Sequence, residues 1–139
     1  MADVVTSQTI VDTTGTKTVM KFTNICDGSG ETLVTKMDAS ALNFMTEDAT
    51  KKIAKIYWAI NTTNGKSGVE ILWAGSGTSS VDATIGFFSG TGFHDYNVAG
   101  NSIPNNATLT NNTSPAGDVL ISTKGFVAGD NYTIIIEVR

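Results

Sequence analysis

The chain's single histidine, His94, stands beside Asp95, with Ser89 and Thr91 a few positions upstream. Acyl-transfer chemistry needs a nucleophile within reach of a base that a third group orients. The residue types are present, but the G-x-S-x-G turn that presents a nucleophilic serine is not. A histidine next to an aspartate in a Gly-rich turn is ordinary surface chemistry, and the stretch reads as non-catalytic. Asp27-Gly28-Ser29-Gly30-Glu31 sets oxygen ligands at alternate positions around glycines. Calcium takes roughly 6–8 oxygens, from a longer loop of alternating Asp/Asn with a terminal Glu. One short segment supplies too few, and a hairpin turn explains the glycines. Gly75-Ser76-Gly77 and Gly90-Thr91-Gly92 lack the following lysine and the strand–helix setting of a phosphate cradle, so they read as turns. The lone Cys26 excludes an internal disulfide framework and a thiolate zinc site. No metal, cofactor or enzymatic activity is expected.

The bulk composition points the same way. Nine basic against 13 acidic residues leave a formal charge of −4 over 139 residues. Arg139 is the only arginine and Lys51-Lys52 the largest basic cluster. That is too little positive field to track a phosphate backbone, so no nucleic acid is expected. Met1-Ala2-Asp3 has neither the basic nor the apolar region of a targeting peptide. Runs such as Ile134-Ile135-Ile136 end too soon for a helical membrane span. Hydrophobic residues make up 40% and charged ones 16%, so the chain should fold, with a surface of neutral Thr, Asn, Ser and Gly. Five Asn-X-Ser/Thr matches, starting with Asn61-Thr62-Thr63 and ending with Asn131-Tyr132-Thr133, are expected by chance in such a chain.

The elements that must position any site have a period of two. Thr18, Met20 and Phe22 share a face opposite Lys17, Lys21 and Thr23, the pattern of a half-buried strand. Leu33 and Met37 lie opposite Lys36 and Asp38. Lys55 to Asn61 is apolar on both faces and reads as a central strand, covered on both sides or lying at an interface. Asn64-Gly65 leads into Val69 to Ala74, which together read as a hairpin. Val81 to Phe88 follows, then a turn around Gly90 and Gly92, then Phe93 to Val98. Asp118 to Lys124 and Tyr132 to Arg139, separated by Gly125 and Gly129-Asp130-Asn131, read as a second hairpin.

Thr46 to Lys55 has acidic residues first and lysines last, and is either one short helix or a structured turn. The expected fold is therefore all-β: a single-domain antiparallel β-sandwich, jelly-roll-like, with at most one short helix. Residues 1–15 are expected as an N-terminal arm or edge strand, and residues 16–139 as the sandwich. The Asn/Thr/Ser-rich stretch 97–116, which holds Pro104 and Pro115, is long for a connection in a compact domain and is a candidate binding loop.

Aromatics carry the remaining signal. Tyr57, Trp58, Trp73, Phe87, Phe88, Phe93 and Tyr96 lie on or beside the middle strands. Neighbours in a strand point to opposite faces, so part of this set must be exposed unless a ligand or a subunit covers it. Protein contact is the favoured outlet, and stacking on sugar the other. The partner-binding candidates are Val4, Val5, Ile10 and Val11 in the N-terminal segment, with Tyr57, Trp73, Phe88, Phe93 and Tyr96.

Several strings resemble small virion structural proteins of tailed phages of marine bacteria. They are Val19-Met20-Lys21-Phe22-Thr23-Asn24-Ile25, Asp27-Gly28-Ser29-Gly30-Glu31 and Val34-Thr35-Lys36-Met37-Asp38. Lys55-Ile56-Tyr57-Trp58, Val69-Glu70-Ile71-Leu72-Trp73, Gly117-Asp118-Val119-Leu120-Ile121-Ser122-Thr123 and Gly129-Asp130-Asn131-Tyr132-Thr133-Ile134-Ile135-Ile136-Glu137 fit the same pattern. Asn97 to Ala116 departs from it. The resemblance implies a capsid decoration (cement) protein on the particle exterior, made in the host cytoplasm. Its partner would be the major capsid protein, with lattice neighbours or a homo-oligomer, and no nucleic acid or membrane. The rivals are a tail or head–tail connector subunit, and a carbohydrate- or host-receptor-binding module built on Trp58 or Trp73.

Overall fold

β-Branched and aromatic residues alternating with Thr, Lys and Asn form ten strands in a computed structural model that describes residues 3–44, 52–74, 83–96, 103–104 and 118–139. The strands are β1 (Val4–Thr13), β2 (Lys17–Ile25), β3 (Val34–Met37), β4 (Lys52–Asn61), β5 (Gly68–Trp73), β6 (Ala83–Phe88), β7 (Gly90–Asp95), β8 (Ile103–Pro104), β9 (Val119–Lys124) and β10 (Asn131–Val138). The one helical element among the described residues is a 3₁₀ turn at Ala39–Ala41, capped by the Asp38 carboxylate.

Two antiparallel sheets result. One runs β1-β2-β10-β4-β7, with β8 beside the start of β4; the other runs β3-β9-β5-β6. The pairings are nested. β5 pairs β6, β4 pairs β7, β3 pairs β9 and β2 pairs β10. The β10–β4 and β9–β5 pairs then join these ribbons into sheets. A long hairpin wound on itself in this way is the jelly roll. The fold class expected from the strand rhythm is the one observed, and β1 is an extra strand on its edge.

The two hairpins expected from turn chemistry are not hairpins. β4 and β5 lie in different sheets, as do β9 and β10. The turn signals are real: Asn64 accepts from the Ser67 and Lys66 backbone N–H groups, and Asp130 accepts from Thr63 and Val127 N–H. These turns carry the chain across the sandwich, because each strand buries more apolar surface beside a distant partner. Lys52 to Lys55, expected in a helix or turn, belong to β4. Lys52 and Arg139 exchange backbone hydrogen bonds at 2.7 and 2.8 Å, so sheet pairing overrides the local charge pattern. Residues 45–51 lie outside the described residues.

The core lies between the sheets. Met20, Phe22, Ile56, Ile60, Tyr132, Ile134 and Ile136 from one side meet Met37, Val69, Ile71, Trp73, Phe88, Val119 and Ile121 from the other. Gly92, expected in a turn, lies inside β7 because Trp58 needs the space. A Cβ there would come within 2.3 Å of the indole. That ring also packs on Phe88 at 4.8 Å and donates its N–H to the Ser89 carbonyl at 3.1 Å.

Lys36, expected on the polar face, is buried. A bulge between Thr35 and Met37 breaks the alternation, and the ammonium lies 2.5 Å from the buried Glu31 carboxylate. The Tyr132 hydroxyl donates to the other Glu31 oxygen at 2.5 Å. Burial, followed by this hydrogen bond and the carboxylate charge, pushes the Tyr132 hydroxyl far above the ordinary tyrosine range, so it stays a donor.

Candidate functional site

The sheet register assembles the candidate site on the outer face of the β1-β2-β10-β4-β7 sheet. Phe93 pairs with Tyr57, Tyr57 with Ile135, Ile135 with Lys21, and Lys21 with Gln8. Directly paired residues share a face, and neighbouring strands lie about 4.8 Å apart. Phe93, Tyr57 and Ile135 therefore form one continuous apolar strip about 10 Å long. Phe93 is 60% exposed, Tyr57 is 37% exposed and Ile135 is half-buried.

Polar rows flank the strip on both sides. On one, Thr91, Ala59, Thr133, Thr23 and Thr6 stand in register, and the Thr6 and Thr23 hydroxyls are hydrogen-bonded. On the other, Asp95, Lys55 and Glu137 alternate in sign. Lys55 lies 3.7 Å from Asp95, while Lys17 and Arg139 reach Glu137 at 3.6 and 2.9 Å. The strip is thus an apolar band between a hydroxyl row and an ion-pair row on an open sheet face. Such a surface suits another protein, since it has an anchor core and a polar rim.

The predicted contact residues separate. Tyr57 and Phe93 meet in this strip. Val4, Val5 and Ile10 are exposed and Val11 is half-buried on β1, at the far edge of the same sheet. Trp73 is fully buried and Phe88 nearly so, because their strand faces point into the sandwich; neither is available to a partner. Tyr96 is half-buried against the core, with its ring 4.2 Å from that of His94 and its backbone N–H on the Ala54 carbonyl. Burial pushes its hydroxyl upward. Ile135 was missed. Its signal was an isoleucine between Thr133 and Glu137, on the face opposite Ile134 and Ile136. Phe87 was also missed, an exposed ring on the outer face of the other sheet, paired with Glu70.

The candidate chemical groupings come apart. His94 and Asp95 point to opposite faces of β7: His94 is paired with Ile56 and packs at a tilt against Tyr96, while Asp95 faces Lys55. Asp27 accepts from the Ser29 N–H and hydroxyl at 3.0 and 2.6 Å, an Asx turn, while Glu31 turns inward to Lys36. They do not converge on a common point.

Asp3, Cys26 and Asp27 do bring ligand atoms within 4.8 Å of one another. The Asp3 carboxylate, however, is already engaged by the Asp27 N–H and the Asn24 amide, both at 2.9 Å. Partial burial favours the protonated Asp3 carboxyl, but these hydrogen bonds outweigh it and hold the pKa at about 2. Asp12 is also lowered: burial raises it, and hydrogen bonds from Asn43 and Phe44 N–H prevail. Asp130 is lowered chiefly by the Val127 N–H. All three act as clamps on loops. Gly75-Ser76-Gly77 and the candidate loop 97–116, apart from β8, lie outside the described residues.

The fold and this face define a jelly-roll domain with polar rows on both sides of an apolar strip. No family model matches the chain, and no curated protein is significantly similar to it. Among the described residues no helix is long and apolar enough to cross a membrane.

Proposed function

We propose that the protein is a non-enzymatic structural component of a phage particle, a capsid decoration protein that seats its aromatic strip on the lattice of the major capsid protein. The observation that carries this reading is the exposed Phe93–Tyr57–Ile135 strip, flanked on both sides by polar rows on the outer sheet face. The sequence resemblance to virion proteins supplies the particle. The jelly roll supports it by analogy alone, since that fold also serves lectins and cupins.

Seating the strip removes two aromatic side chains from water, and the Lys55, Glu137 and Asp95 row sets orientation. A sugar-binding reading loses support because both tryptophans are engaged internally, Trp73 in the core and Trp58 on Phe88 and Gly92.

The test is reconstitution on undecorated particles with the Phe93→Ala/Tyr57→Ala variant, after circular dichroism confirms its fold. Occupancy should fall at least about tenfold, as expected for two interface anchors of about 1 kcal/mol or more each. Undiminished binding would remove the strip from the account. Quantitative mass spectrometry of particles separates decoration from tail or connector: a copy number of the order of the shell protein's supports decoration.

A further inference from the structure

The strip does not explain β1, which ends the six-stranded sheet. It is 10 residues long. From Val4 to Val11 it carries no charge and no proline, with Asp3 and Asp12 standing just outside that run. Val4 is 62% exposed, Val5 47% and Ile10 50%. Edge strands are usually blunted by lysine, proline, brevity or glycine, because their unpaired backbone groups recruit other strands. The other described edges are short, charged or interrupted: β3 has only 4 residues, β7 carries Asp95, and the uncharged 6-residue β6 is broken by a bulge at Ile85. β1 is interrupted only at one end, where a bulge lies between Thr9 and Val11.

We infer that the free edge of β1 pairs antiparallel with β1 of a second copy of this chain, about a two-fold axis through Ser7. In an antiparallel pair, residues directly opposite share a face. A two-fold perpendicular to the sheet therefore permits only registers that keep outer residues opposite outer ones. Centring on Ser7 places Ser7 opposite Ser7, Thr6 opposite Gln8, Val5 opposite Thr9 and Val4 opposite Ile10. The regular ladder then runs from Val5 to Thr9, and Val4 meets Ile10, the residue of the bulge, at its end.

The other registers are poorer. Centring on Gln8 sets Asp12 against Val4 and moves the bulged Ile10 from the end of the ladder into its interior, opposite Thr6. Centring on Thr6 leaves Ile10 uncovered. The Ser7 register alone matches the two most exposed apolar residues of β1 with each other and brings no like charges opposite. Because the two-fold closes, the edge is consumed and no fibre grows.

The pairing has a geometric consequence. A two-fold perpendicular to the sheet keeps both outer faces on the same side of the joined sheet. The two Phe93–Tyr57–Ile135 strips then face one way, and a dimer docks through two sites with the avidity that confers. This consequence rests on the docking reading above, whereas the pairing itself does not.

The test uses the free full-length protein, with no particles present, so its failure is distinct from failure of the docking reading. Sedimentation equilibrium from low to high micromolar concentration should show a monomer–dimer equilibrium. Ser7→Lys, which sets two ammonium groups against each other at the axis, should abolish the dimer while leaving the thermal midpoint unchanged at low concentration, where the wild type is also monomeric. Ser7→Glu should do the same, and mixing the two variants should restore a heterodimer.

Ser7→Cys gives an independent reading. Paired Cα atoms of an antiparallel ladder lie about 4.5–5.5 Å apart, within disulfide range. Mild oxidation should therefore link Ser7→Cys chains into dimers, with the buried Cys26 uninvolved. Val4→Cys should not cross-link, since its copies lie about 20 Å apart along the ladder. A wild-type chain that stays monomeric throughout, a Ser7→Lys dimer as stable as wild type, or equal cross-linking by Val4→Cys and Ser7→Cys would each overturn the pairing.

Discussion

β1 and β10 are built from similar residues and have opposite fates. Both are rich in β-branched side chains, and both pair with β2. β10 lies between β2 and β4, and its inward residues Tyr132, Ile134, Ile136 and Val138 are fully buried or nearly so. Even Glu137 on its outer face is buried, beneath Lys17 and Arg139. Among the described residues β1 has β2 on one side only, and Val4 to Ile10 are all exposed. Local propensity makes both into strands; rank in the sheet decides which one carries stability and which one is left for association.

The sharpest way to break that comparison is to shorten a side chain in each strand. Ile134→Ala should cost about 3 kcal/mol, the usual loss when a fully buried isoleucine leaves a cavity. Val5→Ala should cost less than about 0.5 kcal/mol, as for an exposed site. Urea unfolding of the two variants measures both, and equal costs would refute the division of labour.

A smaller effect is expected from Tyr132→Phe. It keeps the ring, which meets Phe126 edge-on at 6.4 Å, but removes the donor to Glu31. The cost should be about 1–2 kcal/mol, because the buried carboxylate then retains Lys36 as its charge partner with one hydrogen bond fewer. No measurable change in unfolding free energy would mean that Lys36 alone satisfies Glu31.

An effect at the lower end of that range belongs to the clamp at the start of β1. The folded Asp3 carboxyl, at about 2, lies below its ordinary 3.8. A depressed carboxyl adds stability that is complete above the ordinary value and is lost as pH falls toward the folded one. Asp3→Asn should therefore flatten the stability–pH curve between those limits, removing about 1 kcal/mol near neutrality once solvent screening is allowed for. Amide exchange at Asp27, whose N–H the carboxylate holds, should rise with it. An unchanged acid limb would show that β1 is held by its ladder alone.

Which residues share a face was legible from alternation, as Met20 with Phe22, Ile56 with Ile60 and Ile134 with Ile136 illustrate. The same rule put Tyr57 and Trp58 on opposite faces, and both aromatic members of the strip, Tyr57 and Phe93, were in view. Ile135 escaped because an isoleucine run shows no alternation. Trp73 and Phe88 were placed on the surface because a strand's period says that two faces exist, not which of them points inward. Lys36 escaped because a bulge cancels the period at one residue.

Strand formation and side-chain alternation are properties of a few adjacent residues, so the sequence by itself determined that this chain is all-β and which residues share a face. Strand neighbours are chosen by apolar burial between segments as far apart as β2 and β10. Only the tertiary structure could therefore turn two expected hairpins into crossings of a jelly roll, align Phe93, Tyr57 and Ile135 in one row, and leave β1 with an open edge. Pairing is a non-local free energy, and it is settled only when the whole sandwich closes.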